Sequence, residues 1–224
     1  LALVIALFGL VALQIENNEM LYRIAVAMEA QGWEGRDMQD PQDEALADVE
    51  TVRKRQPNLP AANYLRGNIL FQKKDLAGAN DALLQVVKVV PDHPGSQFLL
   101  GSINYEQGNL KQADQYLAGF VNNQPGYLPA RLLLAATQLK LDQPRQAIDV
   151  LTPALAQAPN DAQLLALLGS AYLQDRNYAK GSEYLQKAAQ IAPDAANIRT
   201  QLALSQLAQG KADEAVQELQ GLVE

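Results

Sequence analysis

The chain has 224 residues, 48% of them apolar, with 18 Lys plus Arg against 25 Asp plus Glu for a net charge of −7. That balance excludes nucleic acid as the main partner, because phosphate binding draws on a basic face that releases counterions, and it disfavours a polybasic grip on anionic lipid. Cysteine is absent and His93 is the single histidine, which removes disulfides, thiolate or paired-histidine metal sites and most Ser-His-Asp arrangements. The expectation is a protein with no catalytic residue, no metal and no cofactor, that is, not an enzyme.

Residues 1–16 form the first segment, apolar and uncharged from Leu1 to Leu13 (LALVIALFGLVAL) and polar from Gln14. A full membrane span takes about 20 apolar residues, and the chain does not begin with Met. The reading favoured here is the tail of a membrane anchor or uncleaved signal segment. A buried helix of the domain and an exposed helix seated in a partner's groove are the alternatives, since an all-round apolar helix needs a cover. Asn17–Gln31 reads as a helix and 32–42 as a longer loop, in which Trp33 packs onto the first repeat rather than anchoring a partner. Asp37, Asp40, Asp43 and Glu44 do not have calcium-loop spacing and read as a solvated charged loop.

From there the chain repeats. Pro57, Pro91, Pro125, Pro159 and Pro193 are spaced 34 residues apart without an insertion. In the same frame run a small column (Gly67, Gly101, Ala135, Gly169, Ala203), a second small column (Ala79, Ala113, Ala147, Gly181, Ala215) and an unbroken leucine column (Leu83, Leu117, Leu151, Leu185, Leu219). Small residues let two helices cross closely, proline ends the second helix, and the leucines are expected to fill the layer between neighbouring repeats. Asn58, Asp92, Asn160 and Asp194 suit the turn and the start of the next helix. Lys74-Asp75, Gly108-Asn109, Asp142-Gln143, Arg176-Asn177 and Gly210-Lys211 suit tight helix–helix turns. Ala45 and Val49 extend the frame backwards into one more second helix over 43–56, so that 17–59 reads as a degenerate capping repeat. Five regular repeats come after it, at 60–93, 94–127, 128–161, 162–195 and 196–224. Pro153 falls inside a helix and predicts a local bend; Pro144, in a first turn, does not. His93, in the turn after Pro91, reads as a solvated polar residue.

The pattern of a small residue, Ala-x3-large apolar and proline, at a 34-residue period, resembles the tetratricopeptide (TPR) repeat. The resemblance implies an all-α TPR solenoid, a right-handed superhelix of antiparallel helix pairs whose first helices line a concave groove for a protein or peptide partner. Positions 2, 5, 9, 12 and 13 of the family's repeat point into that groove. Here they supply Tyr64, Asn68, Phe71 and Gln72, then Phe98, Ser102, Tyr105 and Glu106, and further on Leu132, Lys140 and Gln174. The early repeats mix aromatic rings with amides and hydroxyls, and the later ones (through Leu204 and Leu207) are aliphatic. No single repeat pairs a lysine at position 5 with an asparagine at position 9, so the carboxylate clamp of chaperone-binding members is not expected.

The stretches 64–101, 130–155 and 161–193 also resemble the large TPR lipoproteins of bacterial PEP-CTERM/exosortase systems, encoded with exopolysaccharide genes, although no lipobox cysteine is present. That likeness implies a bacterial envelope adaptor, membrane-associated or periplasmic, for exopolysaccharide or secretion assembly. The alternative is a membrane-anchored subunit that assembles or regulates an enzyme complex, as in cytochrome c maturation or polysaccharide synthesis; a cytoplasmic location is the alternative address.

Overall fold

A computed structural model describes residues 41–220, where the regular elements are eleven α-helices and one 3-10 helix, with no strand among the described residues. Helix α1 is Pro41–Arg55, and five pairs come after it: α2 (Pro60–Gln72) with α3 (Leu76–Val89), α4 (Pro94–Glu106) with α5 (Leu110–Asn123), α6 (Leu128–Lys140) with α7 (Pro144–Leu151), α8 (Ala162–Gln174) with α9 (Tyr178–Ile191), and α10 (Ala196–Ala208) with α11 (Ala212–Gln220). The segment 1–13, the expected helix Asn17–Gln31, Trp33, Asp37 and Asp40 lie outside the described residues. The expected loop 32–42 ends sooner than anticipated, because α1 already begins at Pro41, where a proline's missing N–H is harmless. No helix among the described residues is long and apolar enough to cross a membrane.

The turn inside each pair is built the same way five times. Lys74, Gly108, Asp142, Arg176 and Gly210 adopt left-handed φ values of 63°, 77°, 59°, 62° and 78°. In each case the following N–H reaches back to a carbonyl five residues earlier: Asp75 to Leu70, Asn109 to Asn104, Gln143 to Gln138, Asn177 to Tyr172 and Lys211 to Gln206, all within 2.8–2.9 Å. This is the Schellman closure, which satisfies carbonyls that the helix end would otherwise orphan. Asp75 and Asn177 then cap the next helix, accepting from the N–H groups of Gly78 and Lys180.

The two compact units of the chain divide at Leu100/Gly101, within α4. In the first, Ala45 and Val49 of α1 pack with Leu65 and Ile69 of α2. A Cβ placed on Gly67 would stand 2.6 Å from Cγ of Leu83 on α3. In the second, Gly101 meets Leu117 and Gly169 meets Leu185 at the same 2.6 Å, and Leu151, Leu164 and Leu168 join Ala135, Ala147 and Ala171 in one cluster. The leucine column fills the layer between neighbouring repeats, as expected from sequence: Leu151 joins Leu164 and Leu168 of the next repeat, and Leu185 joins Ile198 and Leu202. Leu83, Leu117 and Leu185 lie in addition across the glycine of their own repeat, because only a missing side chain lets the two helices of a pair touch. Leu83, Leu117, Leu151 and Leu185 are 0% exposed, while Leu219 on the last described helix is 40% exposed.

Two expectations about the helix ends need correction. Asn58, Asp92, Asn160 and Asp194 stay in the turns, and the cap position falls one residue later, as at Asp161, whose carboxylate accepts from the N–H of Leu164 at 2.8 Å. Pro153 does not bend a continuous α-helix. The α-helix stops at Leu151 and a 3-10 turn, Thr152–Ala156, replaces its last stretch, since proline has no N–H for the carbonyl four residues back and its ring crowds that turn.

Candidate protein-binding face

In the first unit, α2 carries Tyr64, Asn68 and Gln72 at four-residue spacing on one line, so the side chains can hand hydrogen bonds along the helix. Asn68 stands near the Tyr64 hydroxyl and favours its ionised form, and its Oδ1 accepts from Gln72 Nε2 at 2.9 Å. Gln72 in turn accepts, at a long 3.5 Å, from Gln42 on α1. Burial pushes the Tyr64 phenol up, against the smaller opposing influence of Asn68. Its ring lies 4.7 Å from that of His93, and a Cβ on Gly95 would come within 2.5 Å of its hydroxyl. Tyr64 is thus packed on the entry to α4. Phe71 stays half-buried with Lys74 Nζ 5.7 Å from its ring centre. Phe98, further along α4, is also half-buried.

His93 is not the solvated turn residue that its neighbours suggested. It is half-buried beneath Tyr64, and its Nδ1 accepts from the backbone N–H of Ser96 at 3.1 Å. It caps α4, a task that Ser, Thr, Asp or Asn usually performs. Its place directly before Pro94, a first-turn proline, was the available signal.

In the second unit, Ser102 and Tyr105 on α4 are half-buried and Glu106 is exposed. Lys140, at the end of α6, sets its Nζ 4.1 Å above the Tyr105 ring, a cation–π geometry worth about 0.5–1 kcal/mol at an exposed site. Gln174, at the equivalent end of α8, donates to the carbonyl of Leu139 at 3.1 Å and to Asp142 at 2.8 Å. Side chains at this repeat position thus reach back one repeat and tie it. Leu132 is packed against the core cluster of α6–α8, which leaves it less available than its position implied. On α10, Leu204 and Leu207 are 58% and 48% exposed, an apolar strip on the first helix of the last pair.

The structure therefore brings together Tyr64 with Asn68 and Gln72, and Tyr105 with Lys140. Asp43 of the anticipated acidic loop is on α1 and pairs with Lys73 at 2.6 Å. No group of three or more potential metal ligands gathers among the described residues.

Family models described as tetratricopeptide repeat match residues 37–87 and 75–127, 104–171, 162–195 and 200–224. No curated protein sequence matches the chain. Among solved structures the chain is similar to the MamA protein, at 24% identity over 73% of this chain and 90% of that one, with a TM-score of 0.68. It is similar in the same degree of fold (TM-score 0.68) to residues 41 to the end of MamA from Desulfovibrio magneticus RS-1, at 21% identity over 73% and 93% of the two chains. It also matches YrrB, described as a TPR protein with an unusual peptide-binding site, at 12% identity over 78% and 90% of the chains and a TM-score of 0.70. Paired helices in register with five prolines, five left-handed turns at one position, and repeat matches that run from residue 37 to 195 and from 200 to 224 agree: the chain belongs to the tetratricopeptide repeat family.

Proposed function

We propose that the protein is a non-catalytic scaffold that holds a partner polypeptide against the first helices of its repeats. The observation that carries this reading is Tyr105 under Lys140: a half-exposed aromatic ring with a cation 4.1 Å above it. A rigid ring beside a mobile charge provides an apolar anchor and an orienting polar contact in one place, the combination on which interface hot spots are built. Ser102 and Glu106 are the further contacts beside Tyr105, with Lys140 and Gln174 on the same unit. Tyr64, Asn68, Phe71, Gln72 and Phe98 serve the first unit's face. The fold is one in which YrrB is described as having a peptide-binding site, which supports a peptide or protein ligand. The acidic net charge argues against nucleic acid.

We extend the reading to the bacterial cell envelope, with the repeats serving exopolysaccharide or secretion assembly near a membrane. Its support is the wording of residues 64–101, 130–155 and 161–193 and the apolar run 1–13. Peptide-display selection against the full chain tests the binding reading. Selected peptides are expected to lose about tenfold in affinity for Tyr105→Ala, and several-fold for Lys140→Ala. Selected peptides that bind both variants as they bind the parent would refute the assignment of this face.

A further inference from the structure

Helix α7 ends early, and the 3-10 turn at Pro153 leaves a cavity of about 130 Å³ against the turn that opens α6. Its apolar wall is Pro125, Leu128, Pro153 and Ala154, with Arg131 and Gln157 at the polar side. None of these is among the residues of the binding surface described above, so the cavity is separate from it.

Three features make it a site. First, Arg131 is fixed: its Nε donates to the carbonyl of Pro125 at 2.6 Å and its Nη1 to the carbonyl of Val150. A guanidinium has five N–H donors, so two bonds to neutral carbonyls leave donors and the full positive charge in hand. Second, that charge has no carboxylate within 4.0 Å among the described residues, unlike Arg53, Arg66, Arg145 and Arg199; Arg55 and Arg176 share this, but neither lines the cavity. Third, Gly126 lines the cavity where the other repeats carry Asn58, Asp92, Asn160 and Asp194. Around its would-be Cβ lies only Gln157 Oε1, at 3.8 Å. The side chain that would fill this corner is the one missing.

We infer that this cavity binds the C-terminus of a polypeptide, its free carboxylate on Arg131 and its last, small aliphatic side chain against the proline-lined wall. A terminal residue carries carboxylate and side chain on one Cα, so both reach a small site together. An Asp or Glu places its charge at the tip of the only side chain it has and leaves the apolar wall empty. The cavity is open to solvent at Pro125, Gly126, Pro153 and Gln157, and its volume admits a small aliphatic group from the surface. Gln157 has an amide that can donate to the last peptide carbonyl.

The test is calorimetric titration of the full chain with acetyl-Gly-Ser-Gly-Ser-Val as the free acid, with the same peptide as its amide, and with an amidated analogue ending in Asp. The acid is expected to bind, and both amides to bind at least about tenfold more weakly, as charge-assisted bonds require. Arg131→Gln keeps a donor for the Pro125 carbonyl, as Gln97 does for Pro91, and removes the charge. Gly126→Asn restores the residue that two other repeats carry and fills the corner. Each is expected to weaken the acid by about tenfold; Gly126→Asn leaves the melting temperature unchanged, while Arg131→Gln, which gives up the bond to the Val150 carbonyl, lowers it slightly. Equal binding of acid and amide, full binding by either variant, equal binding of the Asp analogue, or no binding of the acid at millimolar concentration overturns the inference. Tyr105→Ala leaves acid binding intact, so failure of the face at Tyr105 and failure of this cavity are read separately.

Discussion

The Nδ1 atom of His93 accepts the backbone N–H of Ser96 at 3.1 Å and also lies 3.0 Å from the Ser96 hydroxyl. An acceptor at Nδ1 requires the neutral ring with its proton on Nε2. Burial acts in the same direction and holds the His93 pKa below its ordinary 6.5. The folded state therefore binds fewer protons here than the unfolded chain, and stability rises with pH through this window. The contribution is complete above about pH 6.5 and is lost as pH falls through the lower folded value. Urea midpoints are expected to fall between pH 7.5 and 5.5 in the parent. They are expected to stay level in His93→Asn, which keeps a cap and has no titration. A parent midpoint that does not move over that interval would show that the cap carries no proton linkage.

The five left-handed turns supply a comparison internal to the chain. Glycine occupies two of them and Lys74, Asp142 and Arg176 the others. A Cβ in this region costs about 1–2 kcal/mol, partly offset because glycine loosens the unfolded chain by about 0.4–1 kcal/mol. Arg176→Gly is expected to stabilise by about 0.5–1 kcal/mol, raising the melting temperature by a few degrees. Asp142→Gly is expected to gain less, because Asp142 accepts from Gln174. A melting temperature for Arg176→Gly at or below the parent's would contradict the argument.

A double-mutant cycle tests the contact between Gly67 and Leu83. A methyl on Gly67 would stand 2.6 Å from Leu83 Cγ and 3.4 Å from the carbonyl of Ala79. Gly67→Ala is thus expected to destabilise by about 1–3 kcal/mol, despite the roughly 1 kcal/mol that alanine gains in a helix. Leu83→Ala is expected to cost about 2–5 kcal/mol. Because the added methyl would occupy part of the space the leucine leaves, the pair is expected to cost at least about 1 kcal/mol less than the sum. Additivity in chemical denaturation would place the two side chains out of contact.

The constraints that repeat are the ones legible in the sequence. Helix crossings demand small residues, helix ends demand proline, and left-handed turns favour glycine, so these appear as columns at a fixed spacing. The leucine column is legible as a layer between repeats, but its second contact, across the glycine of its own repeat, is not, because a one-dimensional pattern marks a buried position without saying all that lies across from it. His93 was missed because a capping imidazole replaces the usual short oxygen side chain. The cavity at Arg131 was missed for another reason: it arises from the conjunction of Gly126, Pro153 and Arg131, three departures from the repeat that have meaning only once the 3-10 turn sets them side by side.

The least visible device is the tie on the proline turns. Asn63 Nδ2 donates to the carbonyl of Pro57 at 2.9 Å, Gln97 Nε2 to that of Pro91 at 3.3 Å, and Arg131 Nε to that of Pro125 at 2.6 Å. Six residues separate donor from proline each time, yet the side chains differ, so no residue column announces the function. The fourth repeat has Leu165 there, 3% exposed and in an apolar cluster. Asn63 is the most committed of the set: it is 0% exposed, and its Oδ1 also accepts from Arg53 Nε at 2.8 Å. Asn63→Leu removes both bonds and leaves the carbonyl of the exposed Pro57 and the half-buried Arg53 donor to water, so the loss is the net worth of the two bonds, about 0.5–1.5 kcal/mol each and more for the one to the charged Arg53. A loss of about 1–3 kcal/mol is therefore expected. Asn63→Gln is expected to recover part of it, since Gln97 shows that the longer amide reaches its proline. If polarity at this position were incidental, Asn63→Leu would instead gain from burying apolar surface and melt at or above the parent temperature.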